Sequence, residues 1–495
     1  MGNFIHNQIY ARNASVSVRT ADNGAMLFHA DTSQAKAINA SGLMLWDLAD
    51  GSRSIDGLLT AFGDGFDSPL SEQARNDSLA FIHELHREGY LDALDALISP
   101  IPVQDYSGLN DAPVDCDISL TGRCNLRCAY CFYANEMQVR LDLSTEDWIM
   151  FFGELGRLGV KTLTLSGGEV FIRPDLWTLI DSVIANRMRF SILSNGTLID
   201  ESAITALLHP PRRKRFNCVQ VSVDGSRADV HDASRGAGSF VKAVRAIRLL
   251  REAGLPCACR VTLNRHNVED LDDVARLLLE DLGLPSFSTN EAVPMGSGCV
   301  NQGETGLMPF EQLQVMKSLE RLTLRYPGRI TATAGPLSKL KQYREMEQAR
   351  LTGRLPLTWR MGSLTACGGV FNKLAIHHDG TMAACNMLSG VELGHINHDS
   401  LSHVWLHHPQ LKALRERQHL RMGDLPECQD CEWADFCNGS CPSMAFERTG
   451  GFNVANMEDC YRRFLGGISE MDRVAMFINS DVRDETQPDN NHGAE

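Results

Sequence analysis

The sequence predicts an α/β protein: a parallel sheet of repeated β–α units, preceded by a small α+β module and followed by a cysteine-rich region. Three observations carry this. Six apolar, strand-like stretches alternate with helical patterns through the middle of the chain. Units of that kind give a parallel sheet, either open or curled into a barrel. Ahead of them lie a hairpin signal and three amphipathic stretches; behind them lies a region poor in long periodic helices and rich in Cys and Gly.

In residues 1–95, SVSVRT and MLFHAD read as short strands separated by Ala21-Asp22-Asn23-Gly24, whose Asn-Gly pair favours a tight hairpin turn. Ser41 is expected to cap a short apolar helix over residues 43–48, ending before Gly51. Ile55, Leu58, Leu59 and Phe62 recur at helical spacing and give a second helix one buried face. A third helix is expected over residues 71–88, stopping at Gly89 and leading into Tyr90-Leu91. A hairpin with three helices is the outline of a winged helix-turn-helix module. Residues 96–112 then form a proline-containing linker with little periodicity.

The strand candidates that follow are CDISL, VKTLTL, RFSIL, CVQVSV, CACRVTL and SFSTNEAV. Between the first two, Ser144 and Asp147 make a capping box ahead of Trp148, Phe151, Phe152 and Leu155. Active residues of such a fold collect at the C-terminal ends of its strands. Residues 311–364 read as a charged helical connector, 365–465 as a region organised around metal, and 466–495 as a tail whose acidic end is poor in apolar residues.

Hydrophobic residues at 43% and charged residues at 22% exclude a disordered scaffold. Lys+Arg 47 against Asp+Glu 62 gives a net charge of −15, which disfavours a nucleic-acid partner. The one basic run, Arg212-Arg213-Lys214-Arg215 after Pro210-Pro211, reads as a solvated loop. No stretch approaches the roughly 18 apolar residues needed to span a membrane. The N-terminus has no apolar signal core, and His6 stands where a myristoylation signal wants Ser or Thr, so a cytoplasmic location is expected. In that reducing compartment, fifteen cysteines point to metal rather than disulfides.

The first cysteine set is Cys124-x3-Cys128-x2-Cys131, directly after the first strand of the array. Three thiolates on one loop can ligate three irons of a 4Fe–4S cluster and leave the fourth open, as a catalytic site requires. Zinc is the alternative, but it usually takes paired Cys/His motifs. With the aromatic Tyr130 before the last cysteine, the run TGRCNLRCAYC resembles the signature of the radical S-adenosylmethionine (SAM) enzymes. The resemblance covers about residues 113–300 and implies a core over 113–310 folded as a partial (β/α)6 barrel. It implies that SAM chelates the open iron and is cleaved to a 5′-deoxyadenosyl radical that abstracts hydrogen from a substrate. An electron donor such as flavodoxin or ferredoxin is implied with it. LSGGE ends the second strand, where Gly167 and Gly168 allow close backbone approach and Glu169 suits the SAM ammonium. SNGT (194–197) ends the third strand and VSVDG the fourth; Ser222 and Arg235 match positions that contact SAM in that family.

Cys367, Gly380, Cys385, then Cys428-x2-Cys431-x5-Cys437-x3-Cys441, then Cys460 resemble in order the SPASM extension of the same enzymes. The resemblance implies two auxiliary 4Fe–4S clusters beside the SAM-binding one. Cys428, Cys431, Cys437 and Cys460 would fully ligate one auxiliary cluster, and Cys367, Cys385 and Cys441 the other. The eighth cysteine of sulfatase-maturing relatives is absent from CGGVFNK, and Asn386 stands where they carry an Asp base. Cys299 could be the missing ligand. The bland reading for it, and for Cys116, Cys218, Cys257 and Cys259, is a small buried apolar residue.

The first module, from LFHADTSQAKAINASGLMLWDLADGSRSIDGLL to FIHELHREGYL, resembles the peptide-chaperone domain of pyrroloquinoline quinone biosynthesis, a RiPP recognition element. In that family a leader peptide adds as a strand to a sheet edge. The combination implies an enzyme acting on a ribosomally made precursor peptide, forming a thioether or carbon–carbon crosslink. The rivals are sulfatase-type oxidation of a protein Ser or Cys, and a non-catalytic iron–sulfur carrier or peptide chaperone.

Overall fold

The structure, a computed structural model, describes residues 8–21, 24–29, 34–66, 70–101, 112–137, 140–353 and 360–478. The Asp22-Asn23 turn, most of the 96–112 linker and the acidic end of the tail lie outside the described residues. Two units make up the chain, Met1–Ala112 and Pro113–Glu495.

In the first unit the strands are β1 (Ile9–Arg12), β2 (Val16–Ala21), β3 (Gly24–His29), β4 (Gln34–Asn39), β5 (Asp50–Ser54) and β6 (Leu91–Leu94). They form two antiparallel sheets, ordered β2-β3-β4 and β5-β1-β6. The expected hairpin is β2–β3; β4 extends it, and both β2 and β4 are edges among the described residues. Helix α1 (Ala40–Leu48) is capped by Asn39, whose Oδ1 accepts from Gly42 N at 2.8 Å, not by Ser41, which lies inside the first turn. Asn39 wins because it is the last extended residue, and only there can a side chain reach back to the free amides. Helix α2 (Ile55–Asp64) buries Ile55, Leu58, Leu59 and Phe62, as the periodicity requires. Helix α3 (Glu72–Arg87) is capped by Ser71 and followed by Gly89 at φ +81°. These helices close over Leu27, Trp46, Ile82, Leu85 and Tyr90.

The second unit begins with β7 (Asp115–Thr121), followed by α4 (Thr145–Arg157). Ser144 caps α4, and Trp148, Phe151, Phe152 and Leu155 form its buried face. Then come β8 (Thr162–Gly167), β9 (Arg189–Ser194), β10 (Phe216–Ser222), β11 (Cys257–Leu263), β12 (Phe287–Glu291) and β13 (Ile330–Ala332). All pair parallel, each beside its predecessor. Because β–α–β crossovers are right-handed, a sheet that grows in one direction places every crossover helix on one face. The opposite face becomes the inside of a partial barrel. The six expected strands are all present; β13 lies within the expected connector, where ITA is too short to read as a strand.

On the other flank, β14 (Lys373–Ile376) runs parallel to β7, and β15 (Thr381–Ala383) and β16 (Glu392–His395) add antiparallel. The sheet ends at β13 and β16 without closing. Helix-facing residues such as Ile118, Leu163, Phe190, Val219 and Val261 are 0% exposed. On the inner face lie half-buried polar residues, among them Gln220 and the in-register pairs Asp117–Thr164 and Arg260–Ser288. Between 367 and 460 no helix exceeds eight residues.

Candidate functional site

The loop carrying Cys124, Cys128 and Cys131 leaves the C-terminal end of β7, the end of a parallel sheet where active residues gather. Its entry is fixed by Asp142, which accepts from Thr121 Oγ1 at 2.6 Å and from Gly122 N at 2.8 Å. Further along, Ala129 N donates to Ser234 O, Asn301 Nδ2 to Ala129 O, and Ser297 N to Cys131 O. Tyr130 is buried beneath the loop with its hydroxyl on Asp224 and its ring 5.5 Å from the Arg235 guanidinium. Asp224, 1% exposed, also accepts from Arg235 Nε at 2.5 Å and Thr262 N at 2.8 Å. Burial alone would lower Arg235, but Asp224 holds it well above the usual guanidinium value. Its Nη1 has no protein partner among the described residues.

LSGGE and SNGT work as one assembly. Gly167, at φ +135°, and Gly168 are crowded by the chain's own loop: a Cβ would lie 2.3 Å from Thr121 O on the first and 2.1 Å from Arg123 O on the second. Gly168 N and Glu169 N donate to those same carbonyls at 2.7 and 2.8 Å, pinning the end of β8 to the cysteine loop. Glu169, 1% exposed, accepts from Ser194 Oγ at 2.9 Å, Asn195 N at 2.8 Å and Phe171 N at 3.2 Å. Burial raises its carboxyl in spite of those three donors. Asn195 Nδ2 meets Asn125 Oδ1 at 3.0 Å and stands 3.9 Å from Cys124 Sγ. Ser222 ends β10, half-buried, its hydroxyl without a protein bond among the described residues.

Burial pushes the Cys128 thiol up to about 11 and raises Cys124 and Cys131 as well. Thiols so placed are protonated at neutral pH unless a cation takes the proton's place, which is the behaviour of metal ligands that load with proton release.

Cys428, Cys431, Cys437 and Cys460 line one cavity with Trp433 and Tyr461. Burial pushes Cys428 up to about 12 and Cys437 up to about 11, and the neighbouring thiols add to both shifts. Cys367, Cys385 and Cys441 form a second group. Burial takes Cys385 to about 11 against the opposing hydrogen bond from the Met387 backbone, and Cys441, Cys367 and Asp117 on the barrel's inner face add to the rise. Cys367 adopts φ +67°, and Ser440 beside Cys441 φ +55°, strained conformations of the kind found at ligand clamps. Arg417, 0% exposed, ties this region together by donating to Thr365 O, Phe452 O and, at 2.8 Å, Val454 O.

None of the fifteen cysteines is joined in a disulfide. Among the described residues no three His, Cys, Asp or Glu side chains converge on the volume of a single ion. A four-iron cube is wider and takes its thiolates from its corners, so the three-plus-four-plus-three thiol arrangement fits iron–sulfur groups.

Cys116, Cys257 and Cys259 are buried, and Cys218 half-buried, but Cys299 is exposed, on a short helix against the Cys131 loop. Asp224 is a residue whose role sequence reasoning missed. Another is Tyr133, whose hydroxyl meets His378 Nδ1 at 2.8 Å beside the buried His377. Asp224 stood inside the quoted VSVDG, whereas nothing in spacing or composition marked the two histidines.

Residues 118–278 match the radical SAM superfamily, 367–432 the SPASM iron–sulfur cluster-binding domain, and 24–91 coenzyme PQQ synthesis protein D (PqqD). Mycofactocin maturase MftC of Mycobacterium ulcerans is 29% identical over 340 residues, 68% of this chain and 85% of that one. Fe-coproporphyrin III synthase of Methanosarcina barkeri is 27% identical over 334 residues, 65% of this chain and 81% of that one. Among solved structures, Streptococcus suis SuiB bound to its precursor peptide SuiA superposes with a TM-score of 0.61. That likeness covers 92% of this chain and 100% of SuiB at 14% identity, a likeness of fold.

Proposed function

The chain joins a radical SAM domain, a SPASM domain and a PqqD domain, the make-up of a radical SAM/SPASM peptide maturase, and on that premise we propose that it crosslinks a ribosomally made precursor peptide. The observation that carries this reading is the PqqD domain. Radical SAM and SPASM-type relatives act on more than one substrate class, as the name Fe-coproporphyrin III synthase says. A peptide-chaperone domain has a use only where the substrate is a peptide.

The leader would pair along the open edge of β2 or β4, where unsatisfied backbone groups give affinity and alternate side chains give register. Cys124, Cys128 and Cys131 would hold the SAM-binding 4Fe–4S cluster, with the two C-terminal thiol groups holding auxiliary clusters. When bound, cluster and SAM supply one-electron chemistry that removes a hydrogen atom from the peptide. The chain's own residues orient and exclude. Glu169, aimed by Ser194 and Asn195, takes the SAM ammonium, while Ser222 and Arg235 Nη1 are free to meet the rest of that ligand. Gly167 and Gly168 keep Glu169 in contact with the cysteine loop. A thioether or a carbon–carbon bond is the product we favour. Asn386, an amide, cannot serve as the base that sulfatase-type oxidation uses.

The test is anaerobic reconstitution of the full chain with SAM, a reductant such as reduced flavodoxin, and the short peptide encoded beside the enzyme. Mass spectrometry should find the peptide lighter by one or more pairs of hydrogens. An unaltered peptide in the presence of brisk SAM cleavage would defeat the proposal.

A further inference from the structure

Arg260 lies in the middle of β11 on the inner face of the sheet, while its neighbours Cys259 and Val261 point to the helices and are 1% and 0% exposed. It is in register with Ser222 on β10 and Ser288 on β12. Among the described residues its guanidinium makes no ion pair and no hydrogen bond, and its Nε is buried without a partner. Burial is the only influence on it and pushes it below the ordinary guanidinium value; no carboxylate opposes the shift. Arginines elsewhere in this unit hold partners on their guanidinium: Arg235 on Asp224, Arg173 on Asp175, Arg417 on three carbonyls, and Arg415 on two carbonyls although its Nη2 makes no hydrogen bond. Two positions beyond Ser288, on the same face of β12, Asn290 Oδ1 is also buried without a partner.

A half-buried cation whose Nε is cut off from water without a counter-ion destabilises a fold, so a chain that keeps one in a polar lumen is poised for an anion that arrives with a ligand. A guanidinium is a planar fork that matches a carboxylate through two parallel hydrogen bonds. Ser222 alongside puts that fork next to the proposed SAM position. We propose that Arg260 binds a carboxylate of the peptide substrate and so fixes an acidic residue close to the reacting carbon. This rests on the reading that the substrate is a peptide. Asn290 Oδ1 is the acceptor available for a backbone amide of the same segment.

The test uses the reconstituted, SAM-loaded full chain and two probes, N-acetylglutamate N-methylamide and its glutamine counterpart, read by saturation-transfer NMR. The glutamate probe should bind and should weaken at least about tenfold in Arg260→Gln, while the glutamine probe binds neither protein. SAM affinity should stay within about twofold in the variant, because the methionyl carboxylate is not the partner proposed. Arg260→Met should raise Tm, since it removes an unpaired, half-buried charge. Equal binding of the glutamate probe by both proteins, a tenfold loss of SAM affinity, or a lower Tm in Arg260→Met would each overturn the assignment. Carboxylate binding that depends on Arg260, with no peptide modified, would keep this site and defeat the maturation reading. A precursor modified with equal KM by wild type and Arg260→Gln would do the reverse.

Discussion

Replacing Asp224 with Ala would strand Arg235 as a buried cation and free the Tyr130 hydroxyl beneath the cysteine loop. Breaking a buried pair in this way costs about 3–5 kcal/mol, so Asp224→Ala should show a clear fall in the urea midpoint and lower iron retention. Unchanged midpoints would mean that Asp224 does not brace the loop. The sequence displayed Asp224 but not its job, because its partners stand 94 and 11 residues away and no local pattern links them. The cysteines are the opposite case: their spacing lies within one loop, and spacing is what a sequence displays. Changing Cys124, Cys128 and Cys131 together to Ala should remove about four irons per chain and abolish 5′-deoxyadenosine formation after reduction. Nucleoside release by that variant would place SAM elsewhere. His231 carries a pH effect of its own. Burial lowers it from 6.5 to about 4, so it folds neutral, with Nδ1 accepting from Asp224 N. The unfolded chain binds the extra proton first, so stability is intact above pH ~6.5 and falls as pH drops toward ~4, by about 3 kcal/mol in all. Denaturant midpoints of His231→Asn across that window should fall less steeply than those of wild type.

At the scale of elements, the long periodic helices and apolar strands were legible and the short polar strands were not. Helix α2 shows its buried face in four residues, and β7 to β12 read as strands because apolar residues facing the helices alternate with the polar residues of the inner face. DGSRS, the sequence of β5, has no apolar alternation at all; it is a strand because β1 pairs with it. The α1 cap differs from its expected place for a similar reason, since β4 sets where the extended chain ends. An element-scale prediction concerns the first unit. Deleting residues 1–95 should slow peptide modification by at least about tenfold while peptide-independent SAM cleavage persists, because a tethered core peptide reacts at high effective concentration. Equal rates of modification for intact and truncated chains would reduce this module to a structural cap.

For the whole molecule, the thiol arithmetic implies three clusters, hence about twelve irons per chain after anaerobic reconstitution. A region with no helix over eight residues and four cysteines around its cavity is expected to depend on its proposed clusters for its fold. Cys428→Ala should therefore speed proteolysis within 365–465 and spare the parallel strands; matching digestion patterns would count against a cluster there. The sheet's winding could be inferred from the β–α repeat, whereas its failure to close was legible only through the family resemblance, which implies a partial barrel. Closure is decided by which strands flank β13 and β16, and β14 to β16 come from a region that reads as loops. That unclosed seam has a consequence for the cargo. A tube admits a polymer only by its end, whereas a bracket can be slipped over the middle of one. Under the proposed function, a segment far from either terminus of a long peptide could enter sideways, be worked on, and leave without unthreading, so the modified residue need not lie near an end of its chain.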